Sequence, residues 1–171
     1  ELTPTLARMV AQRQNELTFP LRWWSFGPFW RYERPQRGRT REFFQWNIDL
    51  IGTDNPEGDA ELVSICGIFF QKTGLSENQV KIKVNSRKLV DQELVRLGIS
   101  PGLRSKVFHL IDRREKMNIV DWETYAKEIG LSVQQISGIN DYLYNKEIWK
   151  KSEEMVRFFS AVKEIGLATY I

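Results

Sequence analysis

The stretch RYERPQRGRTREFFQWNID, running from Arg31 to Asp49, decides how this chain is read. Its middle, residues 34–41, is polar apart from Pro35 and Gly38 and reads as a loop. Aromatic and apolar residues flank it: Phe29–Glu33 leads in and Phe43–Ile51 leads out. The pattern predicts an antiparallel hairpin with a long basic loop. Just upstream, Leu21–Phe29 (LRWWSFGPF) is short and apolar, and Gly27-Pro28 punctuates it. That predicts a strand, a turn, and a second strand through Phe29–Glu33.

Side chains alternate along a strand, so Arg31 and Glu33 share a face at the hairpin mouth, while Gln45 and Asp49 share a face with Phe43 on the return strand. Arg31 cannot lose its proton, and Glu33 can hold a neighbour by hydrogen bonding. Arg39 and Arg41 stand one residue apart on the return side of the loop. Arginines from opposing strands can grip a polyphosphate from two directions. The deeper Gln45 and Asp49 add uncharged and acidic polar groups, which suits a nucleotide together with an amine. Without further pattern, a solvated loop, an RNA-binding loop and an anionic-ligand site all stay open.

Composition bounds the rest. The 171 residues make one ordinary domain, or one domain with an insert. Six Trp and ten Phe predict an aromatic core, with Trp23, Trp24, Phe26, Trp30 and Phe44 packed in a sheet. There is no apolar run of membrane-spanning length and no basic-then-apolar leader, so cytoplasmic residence without membrane is expected. One Cys and one His exclude an internal disulfide and a Cys/His zinc site. Cys66 reads as a small core residue and His109 as a surface residue. The net charge of +3 is unevenly spread. Residues 1–52 hold eight Arg and no Lys, which favours planar, bidentate recognition of phosphate or carboxylate over bulk charge.

Helix signals follow the hairpin. Thr3-Pro4 predicts a helix start, Asn55-Pro56 a helix to about Lys72 closed by Gly74, and Gln79–Val84 alternates like a strand. Short helices are then predicted after Ser86, after Ser100-Pro101, after Asp121, and after Ser132 with Gln135 as a capping box. A last helix spans about 152–165, and residues 167–171 read as a strand left unfinished. That strand, and a start at Glu1 without Met, lead to the expectation of a piece cut from a longer chain, with an open sheet edge and an exposed apolar face.

The order Arg-x-Glu, loop, Arg-x-x-x-Phe resembles motif 2 of the class II aminoacyl-tRNA synthetases, and the full Arg31–Asp49 string resembles the histidyl-tRNA synthetase version. Three other stretches agree. ELTPTLAR resembles the segment ahead of motif 2. Asp59-Ala60-Glu61 resembles the acidic opening of the helix after it, although those carboxylates could simply favour a helix N-terminus. KIKVNSRKLVDQEL resembles the start of the family's insertion domain.

The resemblance implies an α/β (α+β) fold: an antiparallel sheet flanked by helices, with a small mostly helical insertion domain. Residues 1–78 would be partial catalytic core, 79–145 the insertion domain and 146–171 a return to the core. It implies a ligase that uses ATP and Mg2+ to activate histidine and charges tRNA(His), working as a homodimer. Arg31 would be catalytic, holding the α-phosphate and the substrate carboxylate. Glu33 would contact adenine, Arg39 and Arg41 the phosphate side, and Phe43 would stack on the base. Glu1, Thr3, Gln45 and Asp49 would bind histidine, and Lys81, Lys83, Arg87 and Lys88 would meet tRNA. No metal ligand is identifiable. Motif 1, motif 3 and an anticodon domain are not found, so the piece alone is expected to be inactive. The alternative is a non-catalytic, histidine-binding regulatory paralogue, of the kind that controls ATP phosphoribosyltransferase; intact Arg31, Glu33 and Arg39 argue against it.

Overall fold

The computed structural model of the chain describes residues 2–34 and 36–171. It divides into two compact units: the residues up to Val80 together with Ala161–Tyr170, and Lys81–Ser160. The architecture is mixed α/β, with a two-stranded antiparallel sheet and helices around it.

In the first unit, helix α1 (Leu2–Arg13) precedes strand β1 (Leu21–Trp30) and strand β2 (Glu42–Ile51). Thr3 lies inside α1, one residue past its start, and so does not cap it. β1 and β2 pair in unbroken register from Leu21↔Ile51 to Trp30↔Glu42. The turn expected at Gly27-Pro28 is therefore absent: β1 runs straight through it. The ladder explains why proline is tolerated. The Arg31 N–H donates to Arg41 O at 2.9 Å, which marks a hydrogen-bonded pair. Counting back by two places Phe29↔Phe43 in the same class and Pro28↔Phe44 in the other. The N–H that proline lacks would point away from β2, where no ladder bond is lost.

Asn55 caps α2 (Pro56–Lys72) by accepting from Gly58 N at 2.7 Å. The helix closes as expected at Gly74, whose φ of 80° is left-handed. Gly74 N donates to Gln71 O and Leu75 N to Phe70 O. Residues 168–170 form a 3-10 turn and not the start of a strand. Tyr170 is buried, and its hydroxyl donates to Leu75 O at 2.7 Å, anchoring the segment to the end of α2.

The two faces of the hairpin differ. One carries Trp24, Phe26, Trp30, Phe44 and Trp46, and these aromatics are exposed, Trp24 by 71% and Phe26 by 66%. Trp23, at 38%, is exposed too. The aromatic core expected here is thus an exposed aromatic surface in this chain. Phe26 stacks on Phe44 at 5.5 Å, and Trp46 meets Phe69 of α2 at 5.5 Å. A cavity of about 210 Å³ is lined by Trp24, Trp46 and Ile48 of the sheet and Leu62 and Ile65 of α2, with Arg22, Asp49 and Glu61. Cys66 is exposed, not core: the buried stripe of α2 falls on Gly58, Ala60, Ser64 and Gly67, because small residues allow the closest approach.

The second unit holds α3 (Arg87–Arg96), α4 (Arg104–Asp112), α5 (Ile119–Glu128), α6 (Val133–Tyr144) and the start of α7 (Glu153–Glu164). Its core includes Val90, Leu94, Val107, Leu110, Trp122, Ala126 and Ile139. The Trp122 indole N–H donates to Leu110 O at 2.8 Å, which satisfies a fully buried polar group. Ser86 caps α3, and Ser132 with Gln135 forms the expected capping box of α6. Helix α5 starts three residues earlier than expected: Asn118 is the cap, and Asp121 is the residue whose N–H it accepts. Residues 79–84 are not a strand. Ile82 and Val84 are half-buried and Lys81 and Lys83 exposed, so the alternation is real. Among the described residues no strand pairs with it, and Gln79 and Val80 instead donate back to Ser76 O in a turn.

Candidate active site

The hairpin tip is built by a tight turn. Arg39 N donates to Gln36 O at 3.1 Å across Gly38, whose φ is 75°. A positive φ at the third residue is the type II pattern, and it requires glycine. The connection between the strands, residues 31–41, is long as expected, and an isolated bridge between Gln36 and Arg39 closes its tip. Arg39 Nη1 lies 3.3 Å from Glu33 Oε2. The Arg41 guanidinium stacks 4.6 Å over Tyr32. The Arg31 guanidinium lies 5.2 Å over the Phe43 ring, which itself stacks on Phe29 at 6.5 Å. Five of the residues singled out in the sequence, Arg31, Glu33, Arg39, Arg41 and Phe43, therefore gather at one end of one hairpin.

Gln45 and Asp49 sit on the Phe43 face of β2, opposite Gly27 and Trp23. Both are half-buried. Gly27 leaves room beside Gln45: a Cβ placed there meets nothing within 4 Å. Two residues that sequence reasoning passed over share this face. Ser25 and Asn47 are register partners, and Ser25 Oγ and Asn47 Nδ2 are buried without a hydrogen-bond partner. Their position at the same parity as Gln45 and Asp49 was the available signal.

The other expected residues are not on the hairpin. Thr3 is exposed on α1, and Glu1 lies outside the described residues. Lys81, Lys83, Arg87 and Lys88 belong to the second unit and are exposed. Lys83 pairs with Glu115, Lys88 with Glu154 at 2.7 Å, and Arg87 stacks 4.8 Å over Phe108. A second missed feature is the pairing of Glu61. Arg22 Nε and Nη2 of β1 donate to its two carboxylate oxygens at 2.5 and 2.9 Å. Hydrogen bonding to Arg22 holds the Glu61 carboxyl below its ordinary range, and the same contact raises Arg22. Glu61 thus does more than favour a helix terminus.

No three His, Cys, Asp or Glu side chains converge among the described residues, so none is assigned to Mg2+. The arginines and Phe43 do fit a nucleotide, as fixed cations and an aromatic face on one hairpin end.

An antiparallel hairpin flanked by helices, with stacked and paired arginines at its mouth, is compatible with the fold of a class II aminoacyl-tRNA synthetase. A family model described as histidyl-tRNA synthetase matches residues 1–165, and the chain belongs to that family. It is 41% identical over 132 residues to the chloroplastic/mitochondrial histidine–tRNA ligase of Arabidopsis thaliana, covering 77% of this chain and 26% of the relative. A histidine–tRNA ligase of Halobacterium salinarum is 36% identical, covering 84% of this chain and 33% of the relative. One of Thermoplasma volcanium is 32% identical, covering 98% of this chain and 41% of the relative. The chain thus spans between about a quarter and two-fifths of these relatives' length.

Proposed function

We propose that this chain supplies the ATP- and histidine-gripping hairpin of a histidine–tRNA ligase. The observation that carries the reading is the gathering of Arg31, Glu33, Arg39, Arg41 and Phe43 at the mouth, with Gln45 and Asp49 further along the Phe43 face. In the proposed reaction the histidine carboxylate attacks the ATP α-phosphorus, and pyrophosphate leaves. Two anions meet, so catalysis has to come from fixed cations aimed at the charge that develops. Arg31 is the catalytic residue, with its guanidinium over the Phe43 ring. Phe43 offers the base a stacking face, Glu33 receives the adenine amine, and Arg39 and Arg41 face the outer phosphates. A 3′-terminal ribose hydroxyl of tRNA(His) then attacks the carbonyl of the histidyl-adenylate, forming the ester as the anhydride bond breaks and AMP leaves.

Residues 79–145 are proposed as the insertion domain, with Lys81, Lys83, Arg87 and Lys88 as phosphate contacts to tRNA. Residues 1–78 and 146–171 are proposed as parts of the catalytic core, with Glu1 and Thr3 on the histidine's amino group. The complete enzyme is proposed to be a cytoplasmic homodimer using Mg2+; no described helix is long and apolar enough to cross a membrane. Because the chain spans a minority of its relatives' length, the 171 residues alone are expected not to aminoacylate.

The test is calorimetric titration of the chain with ATP and with histidine, then with Arg31→Ala. Loss of one aimed cation costs about 2.7–4 kcal/mol of transition-state stabilisation. In the complete enzyme the substitution should abolish most ATP–pyrophosphate exchange with the fold retained, and near-normal exchange would sink the reading.

A further inference from the structure

A two-stranded hairpin is marginal by itself, so its orientation has to come from what packs against it. Here that is α2. The apolar part of the contact is loose: Leu62 and Ile65 share a cavity of about 210 Å³ with Trp24 and Ile48. The polar part is tight. Arg22 meets Glu61 through two near-parallel hydrogen bonds, at 2.5 and 2.9 Å, a fork that fixes direction as well as distance. Arg22 precedes Trp23, and Trp23 is the register partner of Asp49. Asp49, Arg22 and Glu61 all border the same cavity. The pair therefore grips the hairpin at its Asp49 end, at the far end of β1 from Arg31.

We propose that Arg22 and Glu61 are a positioning pair, which holds the Asp49 end of the hairpin to α2 from the face opposite Gln45, without touching either ligand. This rests on the reading of Asp49 as a histidine-binding residue. A loose apolar seam permits small rotations of the hairpin base, and a bidentate pair removes them. The Arg31 end lies further along the strands and depends on its own tip turn.

The experiment is calorimetric titration of the 171-residue chain with histidine and separately with ATP, alongside thermal melts. Glu61→Gln should weaken histidine binding about tenfold, roughly 1.4 kcal/mol, and leave ATP binding within about twofold. Arg22→Lys keeps the charge and loses the fork, and should weaken histidine binding in the same selective way should Glu61→Gln fail to fold. The charge-reversed double variant, Arg22→Glu with Glu61→Arg, should recover most of the histidine affinity. Equal losses for both ligands would mark a merely structural contact and overturn the proposal, as would unchanged histidine affinity in both single variants. No histidine binding by the unaltered chain would refute the reading of the site itself, and this role with it.

Discussion

Gly27 sits in mid-strand, where glycine is costly, and its replacement by valine should separate fold from function. Its φ is not left-handed, so a side chain is conformationally admissible. A Cβ built there meets nothing within 4 Å, so the side chain is sterically admissible too. Glycine within a strand costs about 0.5–1 kcal/mol against alanine, and a β-branched residue suits a pleated, half-buried surface. Gly27→Val should therefore raise stability by about 0.5–1 kcal/mol. The same open space lies beside Gln45, its register partner. Overfilling a packed site costs about 1–3 kcal/mol, so histidine affinity should fall roughly 5- to 150-fold. Urea unfolding followed by circular dichroism measures the first quantity and calorimetry the second. Full histidine affinity in a stably folded variant would refute the idea that ligand occupies this face.

Other substitutions test the second unit. Gln135 accepts from Ser132 N and also donates through Nε2 to Leu97 O and Gly98 O at 3.2 and 3.3 Å. Gln135→Glu, favourable in a capping box taken alone, should cost about 1–2 kcal/mol because those carbonyls lose their donor; an unchanged urea midpoint, read from the Trp122 indole resonance, would contradict this. A Cβ at Gly138 would lie 2.3 Å from Leu97 Cδ2, so Gly138→Ala should destabilise by about 1 kcal/mol despite alanine's helix propensity. Trimming Leu97 in the same chain should relieve the clash, as a double-mutant cycle would show. Burial, and then the Glu93 carboxylate, pushes the Tyr142 phenol up to about 12. The stability it supplies is complete below the ordinary tyrosine value of about 10 and is lost as pH rises through about 12. Ultraviolet titration should find one late-ionising tyrosine, which Tyr142→Phe removes.

Local chemistry was the legible part. Asn55, Ser86 and the Ser132–Gln135 box act within four residues, so their side chains announce the helices directly. The hairpin and the gathering of Arg31 with Phe43 also follow from alternation. What failed depends on distant partners. Pro28 reads as a breaker until the ladder shows that its missing N–H faces outward. Residues 79–84 alternate like a strand yet pair with none among the described residues. The sheet aromatics and Cys66 look like core because composition reports apolarity, while burial depends on what covers them. The Arg22–Glu61 pair spans 39 positions, beyond the reach of any local pattern.

The anchoring of Tyr170 on Leu75 has a consequence for the order of biosynthesis. The two residues are 95 positions apart, and the whole of Lys81–Ser160 lies between them. A ribosome therefore releases the hairpin and α2 long before the segment that completes their unit has been made. Closing so long a loop in a flexible chain carries an entropic cost that grows with its length. If the intervening helices fold first, that loop is already short when Tyr170 emerges. Pulse-labelled chains stalled before and after residue 170 should differ in protease resistance across Leu21–Lys72, while Lys81–Ser160 is protected in both.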